Sequence, residues 1–173
     1  MANVDAHVTQ DIESDLAHIS RYLQTNSACL VTAESCTGGL IATTITNHPG
    51  CSAWFKGGFV TYQTSAKIDM LGIEPTLLQQ HPPVSETIAL QMVERSIHLT
   101  QAEFGLSVTG IAGPEQDDTQ VPVGTLWVGW GDRRQGAYWA RRFFLDAARD
   151  AFRLQTCALA LAGLRNYLEQ QSG

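Results

Sequence analysis

The stretch Val31-Thr-Ala-Glu-Ser-Cys-Thr-Gly-Gly39 decides how this chain is read. Cys29, Leu30 and Val31 lead into it as a short apolar strand, and Leu40, Ile41, Thr44 and Ile45 follow with helical spacing. A strand that turns sharply into a helix presents backbone N–H groups and the positive end of a helix dipole at the turn. A serine hydroxyl placed there can attack a carbonyl or hold a phosphate. Gly38 and Gly39 let a ligand approach the backbone closely, or simply let helix and sheet pack tightly.

Working outward, Val8, Ile12, Leu16, Ile19 and Leu23 recur at steps of three and four, which predicts a helix with one buried face. Residues 28–34 read as a strand, and Leu40 to about Asn47 as a helix ended by His48-Pro49-Gly50. Trp54 to Tyr62 is strand-like, with Gly57-Gly58 marking a bulge or a close backbone approach. Thr64 or Ser65 caps a short helix through Met70, closed by Gly72, and Pro75 opens a short turn. Ser85-Glu86 begins a longer helix with Ile88, Met92, Val93 and Ile97 inward. Phe104 to Thr109 is a strand. Thr125 to Trp130 and about Gly136 to Phe144 are two more, joined at Gly131-Asp132, and Ala147 to Gln170 is the last helix.

The order α-β-α-β-α-α-β-β-β-α predicts the α/β class, as a single-domain α/β/α sandwich with a mixed central sheet. The expected domain spans 1–173 with a core of about 8–170, and no separate N-terminal domain. Loops at 35–39, 62–67 and 109–114 leave strand ends and are expected to converge.

Hydrophobic content of 44% and charged content of 16% over 173 residues describe a globular chain. A net charge of −6 argues against a nucleic-acid partner. The polar N-terminus lacks the features of a signal peptide, and no apolar run approaches the ~18 residues that span a membrane. Cys29, Cys36, Cys51 and Cys157 form no Cys-x-x-Cys pair and no zinc-like spacing, so reduced thiols in a cytoplasmic protein are expected.

Ser35 needs a base, and none of His7, His18, His48, His81 and His98 falls in a convincing loop. Lys67 is the better candidate. The positive end of its helix and burial both favour the neutral amine that a general base requires. Tyr62, at a strand end, is placed to relay a proton or orient the lysine. Spacing alone fits an exposed lysine and a core tyrosine better. Oxyanion donors are expected from the N–H groups around Cys36, Thr37 and Gly38. Cys36 is a second candidate nucleophile, since a helix N-terminus lowers a thiol's pKa, but it ranks below Ser35 for want of a histidine. Gly110, Ile111, Ala112 and Gly113, followed by Pro114, form a second backbone-rich turn that can face a phosphate or ribose. Arg149 and Arg153 share one helix face, where arginine forks suit anions.

These motifs resemble the CinA C-terminal-domain family. The resemblance is carried by Thr32-Ala-Glu-Ser-Cys-Thr-Gly-Gly39, Ser52-Ala-Trp-Phe55, Gly58-Phe-Val-Thr-Tyr62 with Ala66-Lys67, Val84-Ser-Glu86, Gly110-Ile-Ala-Gly-Pro114 and Pro122-Val-Gly-Thr125, from about residue 12 to 168. It implies a cytoplasmic amidohydrolase that converts nicotinamide mononucleotide to nicotinic acid mononucleotide and ammonia, with no cofactor and no metal. It assigns the nucleophile to Ser35 and the base to Lys67, with Tyr62 alongside. Substrate contacts fall to Cys36, Thr37, Gly38, Gly39, Gly110, Ile111, Ala112, Gly113, Arg149 and Arg153. It implies a nucleotide as small-molecule partner and a homo-oligomer. The chain departs from the family's usual residues at Gln63-Thr64, Gln116-Asp117, Val121 and Ala147-Ala148. These departures motivate an alternative, a paralogue with another substrate or a nucleotide-binding or regulatory role.

Overall fold

Five strands form one sheet in the order β2-β1-β3-β4-β5. β1 (Leu30–Glu34) lies between β2 (Phe55–Val60) and β3 (Phe104–Gly110) and is parallel to both. β4 (Thr125–Asp132) and β5 (Ala137–Phe144) continue the sheet antiparallel. The computed structural model describes residues 2–115 and 120–171, with side chains from residue 7. Flanked by parallel partners, β1 is buried at every position, which is why its sequence shows no polar–apolar alternation.

Helices cover both faces. Leu30, Phe104, Leu106, Val108, Leu126, Val128 and Trp130 pack against α1 (Ala2–Thr25), α2 (Leu40–Thr46) and α6 (Arg149–Gln170). Ile12, Leu16, Ile19 and Leu23 supply the buried stripe of α1, as their spacing predicts. Val31 and Ala33 face the opposite layer, where α3 (Thr64–Leu71) and α5 (Glu86–Thr100) contribute Leu71, Met92, Val93 and Ile97. The short α4 (Pro75–Gln80) bridges α3 and α5. This is the expected α/β sandwich with a mixed sheet.

The differences are local and have causes. β2 begins at Phe55 because Trp54 closes a 3₁₀ turn over Cys51–Ala53 and is wholly buried. The β1–β2 register slips between Leu30–Phe55 and Val31–Gly57, where Gly57 adopts a positive φ of 134°; this is the expected bulge. α3 is capped by neither Thr64 nor Ser65, since Gln63 is its N-cap and makes no side-chain bond. Ser85 does cap α5, accepting from the Ile88 N–H. β4 runs through Gly131 and Asp132 instead of turning there. The Asp132 carboxylate accepts from the Arg134 N–H at 2.9 Å, so the turn falls at 133–136, beginning two residues later.

Candidate active site

Side chains alternate across a strand, and at the end of β1 this sends Glu34 and Ser35 to opposite layers. Ser35 continues the pairing, its N–H donating to the Val108 carbonyl at 3.0 Å. Its hydroxyl turns toward α3, where Lys67 Nζ lies 3.1 Å from Ser35 Oγ and donates at 2.8 Å to the Thr61 carbonyl. Ser35 Oγ itself donates to the Tyr62 carbonyl at 3.5 Å. Lys67 is 1% exposed and Ser35 8%. Burial pulls the lysine from 10.5 to about 8, so a large fraction is neutral amine at mildly basic pH. A neutral amine accepts the serine proton while an N–H holds the Thr61 carbonyl.

A cavity of about 260 Å³ opens over this pair. Ser35, Cys36 and Lys67 are its buried end, and Thr109, Gly110, Ile111, Ala112 and Gly113 form one wall. Pro83 and Val84 form part of the lining, drawn in where Thr109 Oγ1 donates to the Pro83 carbonyl at 2.8 Å. Tyr62, Thr64, Glu115 and Arg149 stand exposed at the mouth. The loops at 35–39, 62–67 and 109–114 therefore do converge. Arg149 ties two of the walls together, donating to the Gly113 carbonyl and to the Tyr62 hydroxyl, each at 2.8 Å.

Other expected site residues stand behind the wall. Gly38 donates its N–H to the Ser35 carbonyl at 3.0 Å, closing the turn, and is unavailable to an oxyanion. Arg153 faces inward and donates from Nε and Nη2 to the Thr37 carbonyl, at 3.2 and 2.8 Å. Thr37, Gly38, Gly39 and Arg153 do not line the cavity. Tyr62 orients no lysine with its hydroxyl; the Thr61 carbonyl does that work, and the phenol meets Arg149 instead. The N–H groups of Cys36 and Thr37 face the Cys36 sulfur.

Two electrostatic expectations are reversed. Burial pushes the Cys36 thiol up to about 12, the opposite of an activated thiolate. The N-terminus of α2 is not free either. It begins only at Leu40, after Gly39 in the left-handed conformation (φ 92°), and the Ile41 and Ala42 N–H groups donate to Glu34. Glu34 is the residue that sequence reasoning passed over, although an acid just before a turn into a helix is itself a capping signal. Glu115 and Pro83 carry no local signal, and Val84 is marked only by the Val84-Ser-Glu86 motif of the resemblance. No histidine lines the cavity. Of the departures, Gln116 and Asp117 lie outside the described residues. Val121 does not line the cavity, Ala147 packs on the core beside α6, and Ala148 is the α6 N-cap without a side-chain bond.

Residues 13–168 match the CinA C-terminal domain. The chain is 41% identical over 147 residues to nicotinamide-nucleotide amidohydrolase PncC of Shigella flexneri, covering 84% of this chain and 88% of that one. It is 42% identical over 146 residues to nicotinamide-nucleotide amidohydrolase PncC of Pseudomonas putida, covering 84% and 90%. Its fold superposes on the competence/damage inducible protein CihA of Agrobacterium tumefaciens with a TM-score of 0.86 at 38% identity, covering 92% and 96%. With Ser35, Cys36, Tyr62, Lys67, Val84 and Gly110–Gly113 of the motifs lining one cavity, and with the family match spanning residues 13–168, the chain belongs to the CinA C-terminal domain family.

Proposed function

We propose that this protein hydrolyses the carboxamide of nicotinamide mononucleotide to nicotinic acid mononucleotide and ammonia, through Ser35 and Lys67. The observation that carries the reading is the 3.1 Å contact between Lys67 Nζ and Ser35 Oγ at the buried end of a cavity. The names of the relatives supply the substrate.

In this reading Lys67, as free amine, takes the Ser35 proton as Oγ attacks the carboxamide carbon. The oxyanion forms at the buried end of the cavity, where the Lys67 ammonium left by the proton transfer stands beside it and stabilises it. The lysine then returns the proton to the nitrogen, the C–N bond breaks, and ammonia leaves an acyl-serine. Water, deprotonated by the same amine, cleaves that ester to carboxylate and serine. Arg149 at the mouth is the group suited to the phosphate. Because Lys67 is the base, no metal enters the scheme.

The test is ammonia release from nicotinamide mononucleotide by purified protein. Wild type turns over, Ser35→Ala falls by about 10³-fold or more, and a chelator changes nothing. Absence of turnover, or equal turnover by Ser35→Ala, overturns the reading. A second reading, another small carboxamide as substrate, draws on Glu115, an acid that shares the mouth with Arg149 and repels a phosphate. Faster turnover of nicotinamide riboside than of the mononucleotide would favour it.

A further inference from the structure

We propose that Glu34 is a positioning residue for Ser35, a role that rests on Ser35 being the nucleophile. Its carboxylate is wholly buried, and no ion pair among the described residues includes it. Four donors converge on it instead. Oε1 accepts from the Ala42 N–H at 2.8 Å and Thr32 Oγ1 at 3.3 Å; Oε2 accepts from Thr37 Oγ1 at 2.7 Å and the Ile41 N–H at 3.0 Å.

One side chain thereby joins the end of β1, the middle of the Ser35–Gly39 turn and the first turn of α2. Ser35 follows Glu34 directly, so the backbone that aims the hydroxyl at Lys67 is held on its far face by this carboxylate. Thr37 is pinned twice, at its hydroxyl by Glu34 and at its carbonyl by Arg153. A turn with two glycines of positive φ has little stiffness of its own; these two anchors supply it. An amide cannot replace the acid. Each carboxylate oxygen accepts a backbone N–H, so either orientation of a glutamine sets an NH₂ against one of them.

The experiment compares wild type, Glu34→Gln, Thr37→Val and Ile45→Val. The last shortens a buried side chain of α2 away from the carboxylate and serves as the stability control. Turnover of nicotinamide mononucleotide, melting temperature and the pH profile are measured for each. Ser35 labelling by a fluorophosphonate, read by mass spectrometry, follows the nucleophile without the substrate. Glu34→Gln is expected to lose about 100-fold in kcat, the scale of a misplaced reacting group. KM is expected to hold, since the walls at Ile111–Gly113 and Arg149 belong to other elements. Its pH midpoint is expected to stay where wild type has it, because geometry and not the lysine's proton affinity has changed. Thr37→Val, which removes one donor isosterically, loses about tenfold and carries the test should Glu34→Gln not fold.

Slowed Ser35 labelling in Glu34→Gln supports the proposal even if wild type releases no ammonia, a result that would defeat the substrate and leave the positioning intact. Labelling of Glu34→Gln at the wild-type rate overturns it. So does an equal loss of kcat in Ile45→Val at a matched fall in melting temperature.

Discussion

Lys67 holds an ammonium-forming group among buried neighbours, and the fold bears a cost for it. A fall from 10.5 to about 8 corresponds to about 3 kcal/mol against the protonated form. The unfolded chain binds this proton more tightly than the folded one, so stability rises with pH between about 8 and 10.5 and carries the full penalty below 8. Lys67→Met is therefore expected to abolish turnover while melting at or above wild type at pH 7. The gap should close as pH climbs toward 10.5, which thermal melts across that range would check. In wild type, kcat/KM is expected to rise through about pH 8 as the amine loses its proton. A Lys67→Met protein less stable than wild type at pH 7 would mean that the lysine's hydrogen bonds outweigh its burial.

At the scale of elements, α5 packs very near the sheet because glycines line its path. A Cβ on Gly129 would stand 2.6 Å from Ser107 Oγ and 3.0 Å from the Ala89 carbonyl oxygen, and Ser107 Oγ already donates to that carbonyl at 2.6 Å. Gly129→Ala is expected to cost about 1–3 kcal/mol, seen as a lower denaturation midpoint. It should also raise KM, since lifting α5 drags the Pro83-Val84 lining with it. The elements themselves were legible in the spacing of apolar residues and in Gly72, Pro75 and Ser85. The contacts between them were not. Whether Arg153 faces a ligand or the Thr37 carbonyl depends on how α6 crosses the Ser35 turn, and i,i+4 spacing says only that Arg149 and Arg153 share a face.

Across the whole molecule, the α1–α6 layer and the cavity are separable. Ile19 is fully buried in the large core shared by α1, α6 and the sheet and does not line the cavity. Ile19→Ala is expected to cost about 2–5 kcal/mol and leave kcat/KM of the folded protein unchanged; a melt and a rate measurement on one sample check both. The sequence by itself determined the α/β class, the order of elements apart from the short α4, and the strand-end positions of Ser35, Tyr62 and Gly110–Gly113, because periodicity, turn residues and strand ends are local properties. Spacing alone fitted an exposed lysine and a core tyrosine, and packing reversed both. Tertiary structure alone decided what the Ser35 turn offers. A helix start implies open N–H groups, yet here Glu34 accepts those of Ile41 and Ala42, Gly38 closes on Ser35, and the thiol of Cys36 is buried and neutral. Hydrogen-bond donors and pKa values belong to the packed neighbourhood, in which residues distant in the chain compete for the same atoms.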